Sequence, residues 1–172
     1  MSRRSRSREV ALQILFQDDL NPCDPRGDAL PFLKQRLKNA DDLLSFSVEL
    51  IDGVRGHQSE LDSILENLAD HWSVSRMATA DRNILRLAVF EMLFLKTSHR
   101  IAMNEAIELA KRFGSAQSSQ FINGVLDRVW QEKGQEIVVA EQPGEKDTET
   151  QKPGNTPLND TPNNPNRRHI GP

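Results

Sequence analysis

No second cysteine accompanies Cys23 in the 172 residues, so an intrachain disulfide and any two-cysteine metal site are excluded. A lone thiol suits a reducing compartment. The four histidines, His57, His71, His99 and His169, are scattered over loops and the C-terminal segment, with no HExxH pair and no cysteine partner. The nine glycines are dispersed, which leaves no glycine-rich loop to cradle a phosphate. No catalytic residue, metal or cofactor is therefore expected. No apolar run matches the roughly 20 residues that a membrane helix needs. The Arg-rich start leads into VALQILFQDDL, which carries two acids where a secretory signal would need an unbroken apolar stretch. Glu9, Asp18 and Asp19 also contradict the acid-poor character of a mitochondrial presequence. The cytoplasm is the expected location. Two-residue alternation is missing apart from the short IVVA at Ile137 to Ala140, so no sheet is expected.

What the sequence does have is helical periodicity. Between Asp81 and Lys96, residues Ile84, Leu85, Leu87, Ala88, Val89, Phe90, Met92, Leu93, Phe94 and Leu95 almost encircle a helix, interrupted by Arg86 and Glu91. A helix that is apolar all round is enclosed by neighbours, so this stretch predicts the central helix of a bundle, with Thr79 or Asp81 as its cap. Around it the spacing predicts helices at about 3–20, 30–37, 41–54, 59–69, 102–113 and 119–132. Gly53 and Gly56 are expected to end the third and Gly114 the sixth. Ser118 is the expected N-cap of the last. Gly124 lies inside that helix at a cost of up to ~1 kcal/mol against Ala, which a close approach by another backbone or a ligand would offset. After Ala140 the chain turns to Glu, Gln, Pro, Gly, Asn and Thr. Such a composition buries too little to offset ordering entropy. The expectation is an all-α domain over 1–140, with about seven helices, and a disordered polar tail over 141–172.

Charge is unevenly placed. The formal total is −3, yet Arg3, Arg4, Arg6 and Arg8 put +4 into the first eight residues and leave −7 for everything after them. Cations at a helix N-terminus oppose the macrodipole by roughly 0.3–1 kcal/mol each. Four of them point to a bound polyanion that outweighs the penalty, and nucleic acid fits a local basic patch. Taken alone, Phe16 and Phe121 read more plainly as core than as stacking platforms. The pair Glu105 and Glu108 reads as a solvated helical face facing Lys111 or Arg112 rather than as an acid–base pair.

Three stretches carry a resemblance: RRSRSREVALQILFQ, DRNILRLAVFEM and MNEAIELAKRFGSAQSSQFINGVLDRV. Together they resemble the NusB family of transcription antitermination factors over about Arg3 to Glu132. The resemblance implies two packed helical subdomains, helices one to three and four to seven. It also implies binding of single-stranded boxA RNA in ribosomal RNA leader transcripts together with NusE, a small-subunit ribosomal protein, within the RNA polymerase antitermination complex. By position, Arg3, Arg4, Arg6 and Arg8 match the family's arginine-rich RNA-binding motif. Phe121, with the turn Ser118 to Gln120, matches a second RNA-proximal region, and Phe16 and Asp81 match positions of NusE contact. Two departures stand out: Phe16 replaces a tyrosine of some relatives, and Gln117 replaces an acid. Asn104, Glu105, Asn123, Gly124 and Asp127 fit the motif without a role assigned. A homodimer is left open. A NusB-like RNA-targeting domain of a ribosomal RNA methyltransferase is a second reading, weakened by the missing cofactor motif and second cysteine. A self-associating helical scaffold is a third.

Overall fold

In the computed structural model, residues 3–21, 29–68 and 73–134 are described. Cys23, His71, Trp72, the IVVA stretch and the expected tail at 141–172 lie outside them. The described residues form seven α-helices and no strand: α1 (Arg3–Leu20), α2 (Leu30–Leu37), α3 (Asp41–Gly56), α4 (Gln58–Leu68), α5 (Thr79–Leu93), α6 (His99–Phe113) and α7 (Ser118–Val129). A single 3₁₀ turn, Val74–Arg76, leads into α5, and a wider π-type turn, Trp130–Gly134, follows α7. None of these helices is long and apolar enough to cross a membrane.

The all-round apolarity of α5 has the predicted cause. It packs against α1, α3, α4, α6 and α7, and every residue from Asn83 to Met92 is buried. Each neighbouring helix brings one stripe to it: Val10, Leu12 and Leu15 from α1, Leu50, Ile51 and Val54 from α3, Leu61 and Leu65 from α4, Ala106 and Ala110 from α6, and Ile122 and Leu126 from α7. Burying one such aliphatic side chain contributes about 1.5–3 kcal/mol. Small residues let α1 and α3 approach closely. Ser7 Oγ donates to the Leu43 carbonyl at 3.1 Å, and Ser47 Oγ donates back to the Ser7 carbonyl at 3.3 Å.

Several boundaries differ from the periodicity, each for a local reason. The central helix ends at Leu93, because the N–H groups of Phe94 and Leu95 both fall to the Phe90 carbonyl and Lys96 turns left-handed at φ 52°. His99 therefore opens α6 instead of closing α5, and its ring stacks on Trp130 at 4.1 Å. Thr79 and Asp81 do not cap α5. Ala78 occupies that place without a side-chain bond, and Asp81 sits in the first turn. Nor does Ser118 cap α7: it is the first helical residue, and its Oγ accepts the Ser115 N–H at 2.8 Å. Gly53 and Gly56 both lie within α3, and neither they nor Gly114 has positive φ. Gly53 is needed for space, since a Cβ there would overlap the Phe90 ring. No atom lies within 4 Å of a Cβ built at exposed Gly124, so no other backbone of the described chain approaches it.

An ionic cluster ties the end of α1 to α4 and α5. Asp19 accepts hydrogen bonds from Arg82 (2.8 Å), Asn83 (2.8 Å) and Arg86 (3.2 Å), while Arg86 also forms a fork with Asp62 at 2.7 Å. Burial pushes the Asp19 carboxyl up, but the hydrogen bonds from Arg82 and Asn83 and the charges of Arg86 and Arg82 outweigh it and hold it below the ordinary aspartate value. A depressed carboxyl contributes stability that is present above its unfolded pKa, about 3.9, and is lost as pH falls through the folded value.

Two outcomes are expected in denaturation experiments. Gly53→Ala should cost about 1–3 kcal/mol by overpacking against Phe90, whereas Gly56→Ala, with open space around it, should gain up to ~1 kcal/mol in urea. Asp19→Asn should lower stability at pH 7 by about 1.5–3 kcal/mol and flatten the loss of stability that the wild type shows below about pH 4.

Candidate nucleic-acid interface

The four arginines expected to bind RNA occupy the first two turns of α1, and the fold treats them differently. Arg8 is buried, at 4% exposure. Its Nε and Nη2 donate to Glu91 of α5 at 2.8 and 2.6 Å, and its Nη1 lies 3.7 Å from Glu105 of α6. Burial pulls the guanidinium pKa down, but the hydrogen bonds and charge of Glu91, with the charge of Glu105, outweigh it and leave it raised. Arg8 is thus saturated by acids from inside the bundle. Arg3, Arg4 and Arg6 face outward. Arg3 pairs with Asp42 at 2.9 Å with both groups well exposed, an arrangement worth about 0–1 kcal/mol. Arg6 pairs with buried Glu9 at 2.8 Å. Arg4 makes no ion pair among the described residues, and its guanidinium lies 5.0 Å from the centroid of Phe46 on α3.

The dipole penalty predicted for a basic helix start is therefore met in part from within. Asp42, Glu91 and Glu105 come from α3, α5 and α6. Nothing in helical periodicity distinguishes Phe46 of α3 from a core residue. It is half-buried and carries the guanidinium of Arg4 on its ring, with Arg8 also 5.2 Å from the centroid. Such a contact is worth about 0.5–1 kcal/mol at exposed sites and restricts where Arg4 points. Glu105 is no part of a solvated face: it accepts from Ser5 Oγ at 2.7 Å, while Glu108 alone pairs with Lys111, at 2.6 Å.

The other candidates gather at the start of α5. Asp81, Ser118 and Phe121 line one hollow of about 300 Å³ with Arg76, Met77, Ala78, Ser115 and Gln117. Phe121 is half-buried and packs on the core. Asp81 is 8% exposed, and its Oδ1 has no hydrogen-bond partner among the described residues. A buried oxygen left without a donor costs about 1–3 kcal/mol. Phe16, 36% exposed, lines an apolar groove of about 210 Å³ with Leu12, Gln13, Ala80 and Phe113. Ala80 and Asp81 are neighbours in α5, so the two depressions flank the same helical turn. Arg4 and Phe16 share α1 but stand twelve residues apart, roughly 18 Å along the axis at 1.5 Å per residue. The structure thus brings Asp81, Ser118 and Phe121 together, sets Phe16 beside them and holds the arginines at the far end of α1. Among the described residues, no group of three or more His, Cys, Asp or Glu side chains is arranged to hold a metal.

Arg8→Ala should behave as a folding mutation. Removing one partner of a buried pair leaves Glu91 uncompensated and costs about 3–5 kcal/mol, to be read as a fall in the urea midpoint.

Comparison with known proteins agrees with this architecture. The NusB family model matches residues 5–131. The transcription antitermination protein NusB of Desulfatibacillum aliphaticivorans is 40% identical over 137 residues, covering 79% of this chain and 95% of that protein. The NusB protein of Desulfitobacterium hafniense is 44% identical over 136 residues, covering 75% and 88%. Among solved structures, T. maritima NusB superposes with a TM-score of 0.68 at 32% identity, over 77% of this chain and 92% of that one. A crystal structure of the antitermination factors NusB and NusE in complex with dsRNA superposes at 0.63 with 27% identity, over 76% and 98%. The chain belongs to the NusB family of transcription antitermination proteins.

Proposed function

We propose that this chain binds boxA RNA of ribosomal RNA leader transcripts together with NusE, and that the pair joins the RNA polymerase antitermination complex in the cytoplasm. The work is assembly, without catalysis. The observation that carries this reading is the cluster of outward arginines on α1, anchored to the bundle core through buried Arg8. Arg3, Arg4 and Arg6 grip backbone phosphates, because a planar guanidinium fork matches phosphate oxygens in charge-assisted bonds. Arg8 belongs to the same motif as a positioning residue. Sequence is read from splayed bases, as is usual for single-stranded RNA, and Phe121 and Ser118 supply the second contact region. NusE docks across the turn of α5 that separates the Phe16 groove from the Asp81 hollow. The groove takes an apolar side chain, and Asp81 Oδ1 accepts a donor from the partner. A solved relative that holds NusE and RNA supports the same pairing.

Each phosphate neutralised on single-stranded RNA contributes about −0.7 to the slope of log K against log salt. The double variant Arg4→Ala and Arg6→Ala should therefore flatten that slope by about 1.4 for a boxA oligonucleotide, and an unchanged slope would remove the arm from the mechanism. In a pull-down, Phe16→Ala should weaken NusE capture by about tenfold or more, as truncation of a central aromatic anchor does. Failure of the wild type to capture NusE, with and without RNA, would reject the partner.

A further inference from the structure

We infer that Arg36 of α2, oriented by Gln13 and Phe32, is a seat for one RNA backbone phosphate and carries the track of the α1 arginines onto α2. The inference rests on the RNA-binding reading above and adds a residue that neither the arginine-rich motif nor the resemblance assigns.

The stretch from Ala29 to Ala40 holds Lys34, Arg36 and Lys38 and no Asp or Glu, in a chain whose formal charge beyond the arm is −7. All three basic residues are exposed, while Leu33 and Leu37 hold α2 to the core. None of the three forms an ion pair among the described residues. The contacts of Arg36 are neutral. Its Nη2 donates to Gln13 Oε1 of α1 at 3.2 Å, and its guanidinium lies 5.6 Å from the centroid of the Phe32 ring, one turn earlier on α2. A carboxylate in either place would cancel the charge. An amide and a ring fix its direction and leave it intact. The C-terminal end of a helix favours cations, so the charge costs α2 little, but the dipole does not account for the missing acid.

Several other arginines are answered by acids: Arg8 by Glu91, Arg55 by Asp18, and Arg82 and Arg86 by Asp19. Arg4 and Arg36 share a different arrangement. Each rests over a phenylalanine ring, and neither forms an ion pair among the described residues. Arg4 meets phosphate under the proposed function, and Arg36 repeats its geometry on the neighbouring helix. The position suits one continuous track. Gln13 follows Arg6 by seven residues on the same face of α1, so its bond to Arg36 lies roughly 10 Å beyond Arg6 along the helix axis. Gln13 also lines the Phe16 groove. A strand running from Arg6 to Arg36 thus arrives beside the surface proposed for NusE. A guanidinium carries five N–H donors, and with one given to Gln13, Arg36 keeps others for phosphate oxygens. Lys34 and Lys38 add to the local positive field that draws a polyanion there.

The test uses the full chain and a boxA RNA oligonucleotide extended at both ends by oligouridine. Affinity is measured across a salt series for wild type, Arg4→Ala, Arg36→Ala, Arg36→Lys and Arg100→Ala. Arg100 is the control, since it is exposed on α6, carries the same charge and has no part in the track. Arg36→Ala should reduce the magnitude of the slope by about 0.7 and weaken binding severalfold at low salt. Arg36→Lys should restore the slope and only part of the affinity, because it keeps the charge and loses the fork. Arg100→Ala should change neither. Equal losses for Arg36→Ala and Arg100→Ala would reduce the effect to net charge and overturn the seat. A slope loss for Arg4→Ala with none for Arg36→Ala would overturn the seat and leave the RNA reading standing. Should Arg36→Ala spare RNA affinity and weaken capture of NusE in the absence of RNA, α2 belongs to the protein interface, and the seat is again overturned. No loss for either arginine would overturn the RNA reading and the seat with it. Thermal melts of each variant separate these outcomes from unfolding, and Arg36→Lys keeps the test open should the alanine variant be unstable.

Discussion

The buried pair of Arg8 and Glu91 is the contact on which the remaining architecture depends. It joins the basic start of α1 to the apolar helix at the centre of the bundle, with the partners 83 positions apart in the chain. Two desolvated charges are tolerated there because the fork geometry is good and Glu105 supplies a second acid. A well-packed apolar pair would serve stability at least as well. What an ion pair adds is position: it sets the rotation of α1, and that rotation decides which arginines emerge at the surface.

From this anchor the rest of the arm follows. Arg3, Arg4 and Arg6 lie within five residues of Arg8, so the pinned guanidinium fixes their azimuth around the helix. Phe46 then supports Arg4, and Glu9 collects Arg6 and Arg112. The basic patch is therefore ordered by contacts within the bundle, which under the proposed function lowers the entropy lost on binding RNA. The acids that hold it explain how a chain of net negative charge presents a local positive surface.

The start of α5 is organised on the opposite principle. There the helix turns from core packing to an edge, and the apolar Phe16 groove adjoins the hollow of Asp81 and Phe121. An exposed aromatic and a buried carboxylate oxygen with no partner among the described residues are both costly. Under the proposed function, a partner that offers an apolar side chain and a donor would remove both costs. One end of α1 then meets phosphate and the other protein, and the helix between them keeps the two separate.

Periodicity by itself determined the seven helices, the enclosure of α5 and the concentration of charge at the N-terminus, because apolar spacing and local composition act over one or two helical turns. Resemblance to the family, and not periodicity, marked Phe16, Asp81, Ser118 and Phe121. Periodicity did not reveal that Gly53 makes room for Phe90, that Ser118 answers Ser115, or that α5 stops at Leu93. Nor did it separate Arg8 from Arg4, since both are arginines on the same two turns. That distinction, and the sharing of Glu9 by Arg6 and Arg112, required tertiary structure. Whether a guanidinium meets water or a carboxylate depends on side chains up to 103 residues away, brought into reach only when the helices pack.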